Sequence, residues 1–310
     1  MTQSQHALRD RATWMRAAAL AIVIALSILA VVPLQRADSD RSDWMAQLDD
    51  TAPLHTLTIP GTHDSGALYS FGDVFGKCQT LTVADQLKIG VRFLDIRLQL
   101  VGDELKIVHS FVDQKTDFRD TMTDMVTFLR EHPTEFLLVS IKEDAAPKRA
   151  EADFTERLEE MLLAYPDVVS PATVLPATVG DARGKLHVIA RYDGSTVGVP
   201  CRNGWKDDAS FVLNDMYIQD NYQIGNTGAK FYDILTAFEV ASAGEYALVL
   251  NYTSCYLSPS FPPVYAGLPA HDIRSWLKES IPLIHEPLGV LVCDFMTSDL
   301  ADIIIRRNFE

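Results

Sequence analysis

The chain has 310 residues, 47% hydrophobic and 22% charged, with a formal net charge of −15. That balance belongs to a folded globular protein and excludes an intrinsically disordered one. The acidic excess excludes a nucleic-acid partner held by a basic face, and it argues against broad attraction to an anionic membrane.

The chain opens on a targeting pattern. Arg9, Arg11 and Arg16 precede the nearly uncharged run 17–34, AAALAIVIALSILAVVPL. Basic residues ahead of an apolar stretch describe a secretory signal peptide or an uncleaved signal anchor, and this run is near the lower limit for spanning a bilayer. Ala37 is the best candidate for a cleavage position. Residues 1–37 are therefore read as signal peptide or anchor, and 38–310 as one catalytic barrel. Either way the barrel is extracytoplasmic, secreted or held to the membrane through residues 17–34. Cys78, Cys201, Cys255 and Cys293 all follow this segment, at spacings that match no zinc pattern. Export permits disulfides. Cys201–Cys255 is the expected pair, since both fall in loops, with buried free thiols as the alternative.

Eight short β-rich segments come next, at 56–59, 91–98, 105–109, 136–141, 185–190, 216–218, 246–251 and 289–293. Helical patterns lie between several of them. Met122, Met125, Val126 and Leu129 recur at i, i+3, i+4 and i+7, and Phe154, Leu158, Met161 and Leu162 do nearly the same. Ile273, Trp276, Leu277 and Ile281 mark another helix, and 300–305 a last one. Strands alternating with helices predict parallel pairing, and the count fits an α/β fold of one (β/α)₈ TIM-like barrel, possibly distorted; an open doubly wound sheet is the alternative. Stretches 195–215 and 258–269 read as surface excursions. Asn251-Tyr252-Thr253 is a glycosylation sequon at the end of the seventh segment, close enough to the mouth that its use is not expected.

Barrel enzymes carry their chemistry at the C-terminal ends of the strands. Polar groups recur there: His63 and Asp64 after the first, Asp95 and Arg97 in the second, His109 at the third, Lys142 and Glu143 at the fourth. Arg191, Asp220 with Tyr222, and Asp294 follow the fifth, sixth and eighth. Singly each has a bland reading, as a solvated histidine, a surface charge or a rim ion pair. Together they make a phosphoryl-transfer site. One imidazole can take a proton while the other gives one, and a guanidinium can stabilise charge growing on phosphate oxygens.

The segments IPGTHDSG, DQLKIGVRFLDIRL, LKIVHSF and FLREHPTEFLLVSIKED resemble the X domain of phosphatidylinositol-specific phospholipase C, in its bacterial, single-domain form. RGKLHVIARYDGS, MYIQDNY and GVLVCDF extend the resemblance toward the C-terminus. It implies that His63 is the general base toward the inositol 2-hydroxyl, oriented by Asp294. His109 would be the general acid toward the diacylglycerol oxygen, with Asp64 as its carboxylate. Arg97 would bind the phosphate, with Asp95 supporting it. Lys142, Arg191 and Asp220 would hydrogen-bond the inositol ring, and Tyr222 would stack under it. The products would be diacylglycerol and inositol 1,2-cyclic phosphate. Calcium-dependent relatives carry a second carboxylate at the position of Arg97, so the resemblance implies catalysis with no metal and no cofactor. The substrate implies a transient membrane interface, expected at the aromatic loops 69–75 and 256–265, and a monomer. Competing readings are a related phosphodiesterase barrel acting on another head group, and a non-catalytic, membrane-tethered lipid-binding protein.

Overall fold

In the computed structural model, residues 40–70, 76–110, 112–144, 151–257 and 267–310 are described. The expected signal or anchor at 1–37 lies outside them, as do Phe71, Val74 and Phe75 and residues 258–265 of the expected membrane loops. No helix among the described residues is long and apolar enough to cross a membrane.

The strands are β1 (Thr58–Thr62), β2 (Phe93–Val101), β3 (Glu104–His109), β4 (Val112–Asp117), β5 (Leu137–Glu143), β6 (Leu186–Arg191) and β7 (Val199–Pro200). After them come β8 (Ala209–Leu213), β9 (Met216–Asp220), β10 (Gln223–Ile224), β11 (Leu248–Tyr252), β12 (Tyr256–Leu257) and β13 (Gly289–Cys293). One curled sheet runs in the order β7-β6-β5-β2-β1-β13-β11-β9-β8. All neighbours in it are parallel except β8 and β9. Helices cover its outside: α1 (Val83–Lys88), α2 (Phe118–Glu131), α3 (Glu151–Leu163), α4 (Val179–Ala182), α5 (Thr227–Ala243), α6 (Gly267–Ser280) and α7 (Ser298–Arg306).

Strands covered on both faces read as continuous apolar runs, and β1, β6, β11 and β13 are buried at every residue. Alternate residues then feed two cores. Ile59, Phe93, Leu138, Ile189, Ile218, Leu250 and Val290 fill the barrel interior. Leu94, Ile96, Val139 and Ile141 face outward against Met122, Met125 and Leu129 of α2. Local signals set the helix ends. The Asp117 carboxylate accepts from the Arg119 amide to start α2, Asn226 caps α5, and Gly244 ends α5 in the left-handed region at φ 66°.

The barrel departs from eight equal staves in two ways. The segment expected as the third barrel strand, at 105–109, is not one. As β3 it pairs antiparallel with β2 and with β4, so that β3 and β4 form a flap off the main path. The physical reason is the tight Gly102 turn (φ 65°), which sends the chain straight back along β2 with no crossover helix. Second, among the described strands none pairs β7 with β8. The seam there is bridged by a side chain, the Asn214 amide donating to the Pro200 carbonyl at 2.8 Å. The expected Cys201–Cys255 bridge does not form; all four cysteines are buried free thiols. Cys201 packs into the barrel interior and Cys255 into the outer core, so they sit in different layers. Asn251 of the sequon is fully buried, its amide donating to the Ile234 carbonyl, which leaves no room for a glycan.

Candidate active site

The C-terminal ends of the parallel strands open onto a cavity of about 430 Å³. Of the residues singled out by sequence, His63, His109, Arg97 and Asp294 line it, as do Lys142, Arg191, Asp220 and Tyr222. Asp64 is fully buried beside it.

Strand register builds part of this wall directly. Arg97 pairs across to Lys142, and Lys142 to Arg191, so three cations stand in a row on β2, β5 and β6. Three like charges side by side require neutralisation. Asp95 and Asp144 supply it. Asp95 Oδ2 takes Arg97 Nε at 3.3 Å, Asp95 Oδ1 takes Arg191 Nη1 at 3.4 Å, and Asp144 Oδ1 takes Lys142 Nζ at 2.6 Å. Burial opposes the charge on Asp95, but Arg97 and Arg191 outweigh it and hold the carboxyl at about 2. Asp144 is likewise held well below the usual carboxylate range: burial opposes this, and Arg97 and Lys142 prevail. Lys142 is lowered, first by burial and then by the Arg97 charge.

The two histidines reach the cavity from different parts of the fold. His63 follows β1 and Asp294 follows β13, and these strands are paired in register up to Thr62 and Cys293. His63 Nδ1 lies 2.8 Å from Asp294 Oδ1, and its Nε2 lies 2.7 Å from Arg97 Nη2. A guanidinium only donates, so Nε2 carries the lone pair and Nδ1 the hydrogen. That is the tautomer a general base needs. Burial lowers the His63 pKa; the Asp294 charge opposes it, Arg97 sides with burial, and the net direction is upward from 6.5. Gln79 ties the wall together, donating to the His63 and Cys293 carbonyls and accepting from the Met296 amide.

His109 comes from the tip of the β3–β4 flap. Its Nε2 sits 3.6 Å from Asp64 Oδ2, whose other neighbour is Arg97 Nε at 3.5 Å. Burial raises the Asp64 pKa, against the pull of Arg97 and His109. Neither Asp64 oxygen takes a hydrogen bond, and His109 Nδ1 is buried without one. The residue after each of His63, His109 and Asp294 has a left-handed backbone: Asp64 at φ 42°, Ser110 at 55° and Phe295 at 49°. Such reversals are costly for non-glycine residues and gather at functional sites. Here they sit at the ends of β1, β3 and β13, beside the side chains that line the cavity.

Several cavity residues escape a reading of strand ends. Trp205 and Asp207 come from the stretch 195–215, which the sequence marks only as an excursion. The Trp205 ring lies 3.7 Å under the Arg191 guanidinium, and its Nε1 donates to Asp220 Oδ2 at 3.1 Å. Tyr222 donates its hydroxyl to Asp207 at 2.7 Å and leans on Tyr256. At the end of β5 it is Asp144, and not Glu143, that accompanies Lys142; the side-chain alternation of a strand puts 142 and 144 on one face.

Residues 51–191 match the family description phosphatidylinositol-specific phospholipase C, X domain. These residues belong to that X-domain family. A 1-phosphatidylinositol phosphodiesterase of Listeria monocytogenes is 27% identical over 278 residues, covering 86% of this chain and 84% of its own. One of Staphylococcus aureus is 26% identical, covering 58% of this chain and 64% of its own. The fold also matches solved phosphatidylinositol-specific phospholipase C structures. For that of S. aureus the TM-score is 0.75 at 22% identity over 85% of this chain and 98% of that one. For that of L. monocytogenes it is 0.70 at 23% over 87% and 99%. The X-domain match ends at Arg191, and the fold match carries the barrel beyond it. His63, Asp64, Arg97, His109, Lys142 and Arg191 fall inside the matched span, and Asp220, Tyr222 and Asp294 beyond it.

Proposed function

We propose that this chain is a phosphatidylinositol-specific phospholipase C that forms diacylglycerol and inositol 1,2-cyclic phosphate by metal-independent acid–base catalysis. The observation that carries this is the meeting of two imidazoles in one cavity, each beside its own carboxylate, with Arg97 between them. His63 Nε2 accepts the proton of the inositol 2-hydroxyl, and Asp294 holds the resulting imidazolium. The hydroxylate attacks phosphorus within the same molecule, so the nucleophile is already positioned. Arg97 moves its donors from His63 to the phosphate oxygens. His109, beside Asp64, gives a proton to the departing diacylglycerol oxygen. Lys142, Arg191 and Asp220 present donors and acceptors to the ring hydroxyls, and Tyr222 and Trp205 offer it aromatic faces.

Arg97 stands where Asp64, Asp95 and Asp144 converge. A fixed cation there disfavours a hard divalent ion, which seeks clustered carboxylate oxygens. The membrane contact through loops 69–75 and 256–265, a monomeric state and an extracytoplasmic barrel behind the segment 1–37 complete the proposal. Their support is the exposed Tyr69 at one loop's start, the location of the substrate in a bilayer and the apolar run 17–34.

Phosphorus NMR of products from phosphatidylinositol vesicles tests the reading. A cyclic phosphodiester formed in the presence of EDTA and lost in His63→Ala is expected. A simple monoester, no turnover, or activity abolished by EDTA and restored by calcium refutes it.

A further inference from the structure

Cys78 has no part in the acid–base scheme, yet it lines the cavity, with its sulfur within 4.8 Å of a ligand atom of each histidine. Its backbone is fixed on both sides, the amide donating to the Ala67 carbonyl and the carbonyl accepting from the Phe295 amide. Ligand atoms of Asp64, Cys78 and His109 all lie within 4.8 Å of one another. A second such trio, His63, Cys78 and Asp294, shares the thiol, but there the imidazole and carboxylate already bond each other at 2.8 Å.

The first trio differs because its carboxylate has only the longer ion-pair contacts to Arg97 and His109, at 3.5 and 3.6 Å. Asp64 is fully buried, and neither of its carboxylate oxygens takes a hydrogen bond; the Nδ1 of His109 is buried and equally unpartnered. A buried carboxylate without hydrogen bonds is costly, so a group that binds it recovers that cost.

We infer that Asp64, Cys78 and His109 form a binding site for a thiophilic divalent cation, zinc or cadmium, and that its occupation shuts the enzyme down. Carboxylate, thiolate and imidazole make a mixed three-ligand set of the kind zinc accepts, leaving a fourth position toward the cavity for water or a phosphate oxygen. The sulfur ligand selects against calcium and magnesium, which need oxygen shells. Contraction of the trio by about 1 Å, within the reach of side-chain rotation, brings the atoms to tetrahedral spacing. Binding releases the thiol proton and the acid proton of His109 to solvent and forms three metal–ligand bonds; no electrons are transferred. Arg97 is not stranded when Asp64 turns to the metal, because Asp95 and Asp144 remain beside it. Inhibition follows because the metal takes the proton donor His109 and its carboxylate together. Only this inhibitory consequence rests on the function proposed above; the binding site does not.

The test uses the full chain and has a readout apart from turnover. Cobalt(II) added to the metal-free protein gives a thiolate-to-cobalt charge-transfer band in the near ultraviolet. The band disappears in Cys78→Ser and persists in Cys201→Ser. Cadmium-113 NMR of the unaltered protein, which needs no variant, shows a shift diagnostic of one sulfur ligand. In the activity arm, Cys78→Ser raises the half-inhibitory zinc concentration by more than about tenfold, as expected for loss of a contact to the metal. No charge-transfer band in the unaltered protein, an equal band in Cys78→Ser, or a cadmium shift without sulfur overturns the site. A band with no turnover in any variant keeps the site and refutes the function instead.

Discussion

The cavity has two walls of different construction. One consists of the ends of paired parallel strands, and it carries His63, Asp294, Arg97, Lys142 and Arg191. The other consists of excursions, the β3–β4 flap with His109 and the 195–215 stretch with Trp205 and Asp207. On the first wall the imidazole–carboxylate contact is 2.8 Å, with both ring nitrogens engaged. On the second it is 3.6 Å, with one nitrogen unpartnered. A regular ladder fixes geometry through every backbone bond it contains. A hairpin tip is fixed mainly by its own turn. The proposed base, His63, is thus held in one tautomer and orientation before substrate arrives, while the proposed acid, His109, is held more loosely.

The sharpest way to break this comparison is to remove each imidazole in turn. His63→Ala and His109→Ala should each reduce cyclic phosphate formation by about 10³- to 10⁴-fold. A substrate with an acidic phenol as leaving group separates them, since such a group departs without a proton. Most of the loss in His109→Ala should vanish with it and none of the loss in His63→Ala; equal losses on both substrates would contradict the assigned roles. The carboxylates come next. Asp294→Asn frees His63 to adopt the wrong tautomer and should cost about 10²- to 10³-fold in kcat. Asp64→Asn, acting across a longer contact, should cost about tenfold less than that. The reverse order in steady-state rates would show that the flap wall is the more rigid one.

The pH profile sharpens the same point. Activity requires neutral His63, whose pKa lies above 6.5, so the acid limb of kcat/KM should fall above pH 6.5. Asp294→Asn removes the largest influence that raises it and leaves Asp95 against burial and Arg97, which both lower it, so the limb should move to lower pH. For folding, a raised histidine adds stability fully present below pH 6.5 and lost as pH rises through its folded pKa. Asp95 works in the opposite sense. Its pKa is lowered from 3.8 to about 2, so its contribution is present above 3.8 and is lost as pH falls toward 2. Acid unfolding monitored by circular dichroism should therefore steepen below pH 4, and Asp95→Asn should flatten that limb. The smallest effect expected is at Trp205. Trp205→Phe keeps a ring under Arg191 but loses the bond to Asp220, worth about 1 kcal/mol, so KM should rise about fivefold with kcat unchanged.

The strand-mounted wall was legible in the sequence because parallel barrel geometry fixes where a strand's last residues point. Reading the residue after each apolar run finds His63, Arg191 and Asp294 without any knowledge of loops. His109 was found for a partly mistaken reason: its strand belongs to an antiparallel flap, and it reaches the cavity because the flap folds over the mouth. Trp205, Asp207 and Cys78 were not legible, since an excursion's path depends on tertiary contacts that no periodicity encodes. Helix α5 was missed for another reason. Its buried face is Lys230, Ile234, Ala237, Phe238 and Ala241, at helical spacing but disguised by a lysine and two alanines. That lysine is fully buried, donating to the Gln219 side chain and the Asn221 carbonyl on either side of Asp220.

The seam between β7 and β8 bears on how the molecule behaves in company. A sheet whose ends do not join exposes two borders to which a stranger's backbone could add, the usual beginning of aggregation. Here one border is two residues long and ends in Pro200, which has no amide hydrogen to offer, and its carbonyl is already taken by Asn214. An incoming chain therefore finds little to bind on that side. A folded chain gains from this wherever its concentration is set by its surroundings.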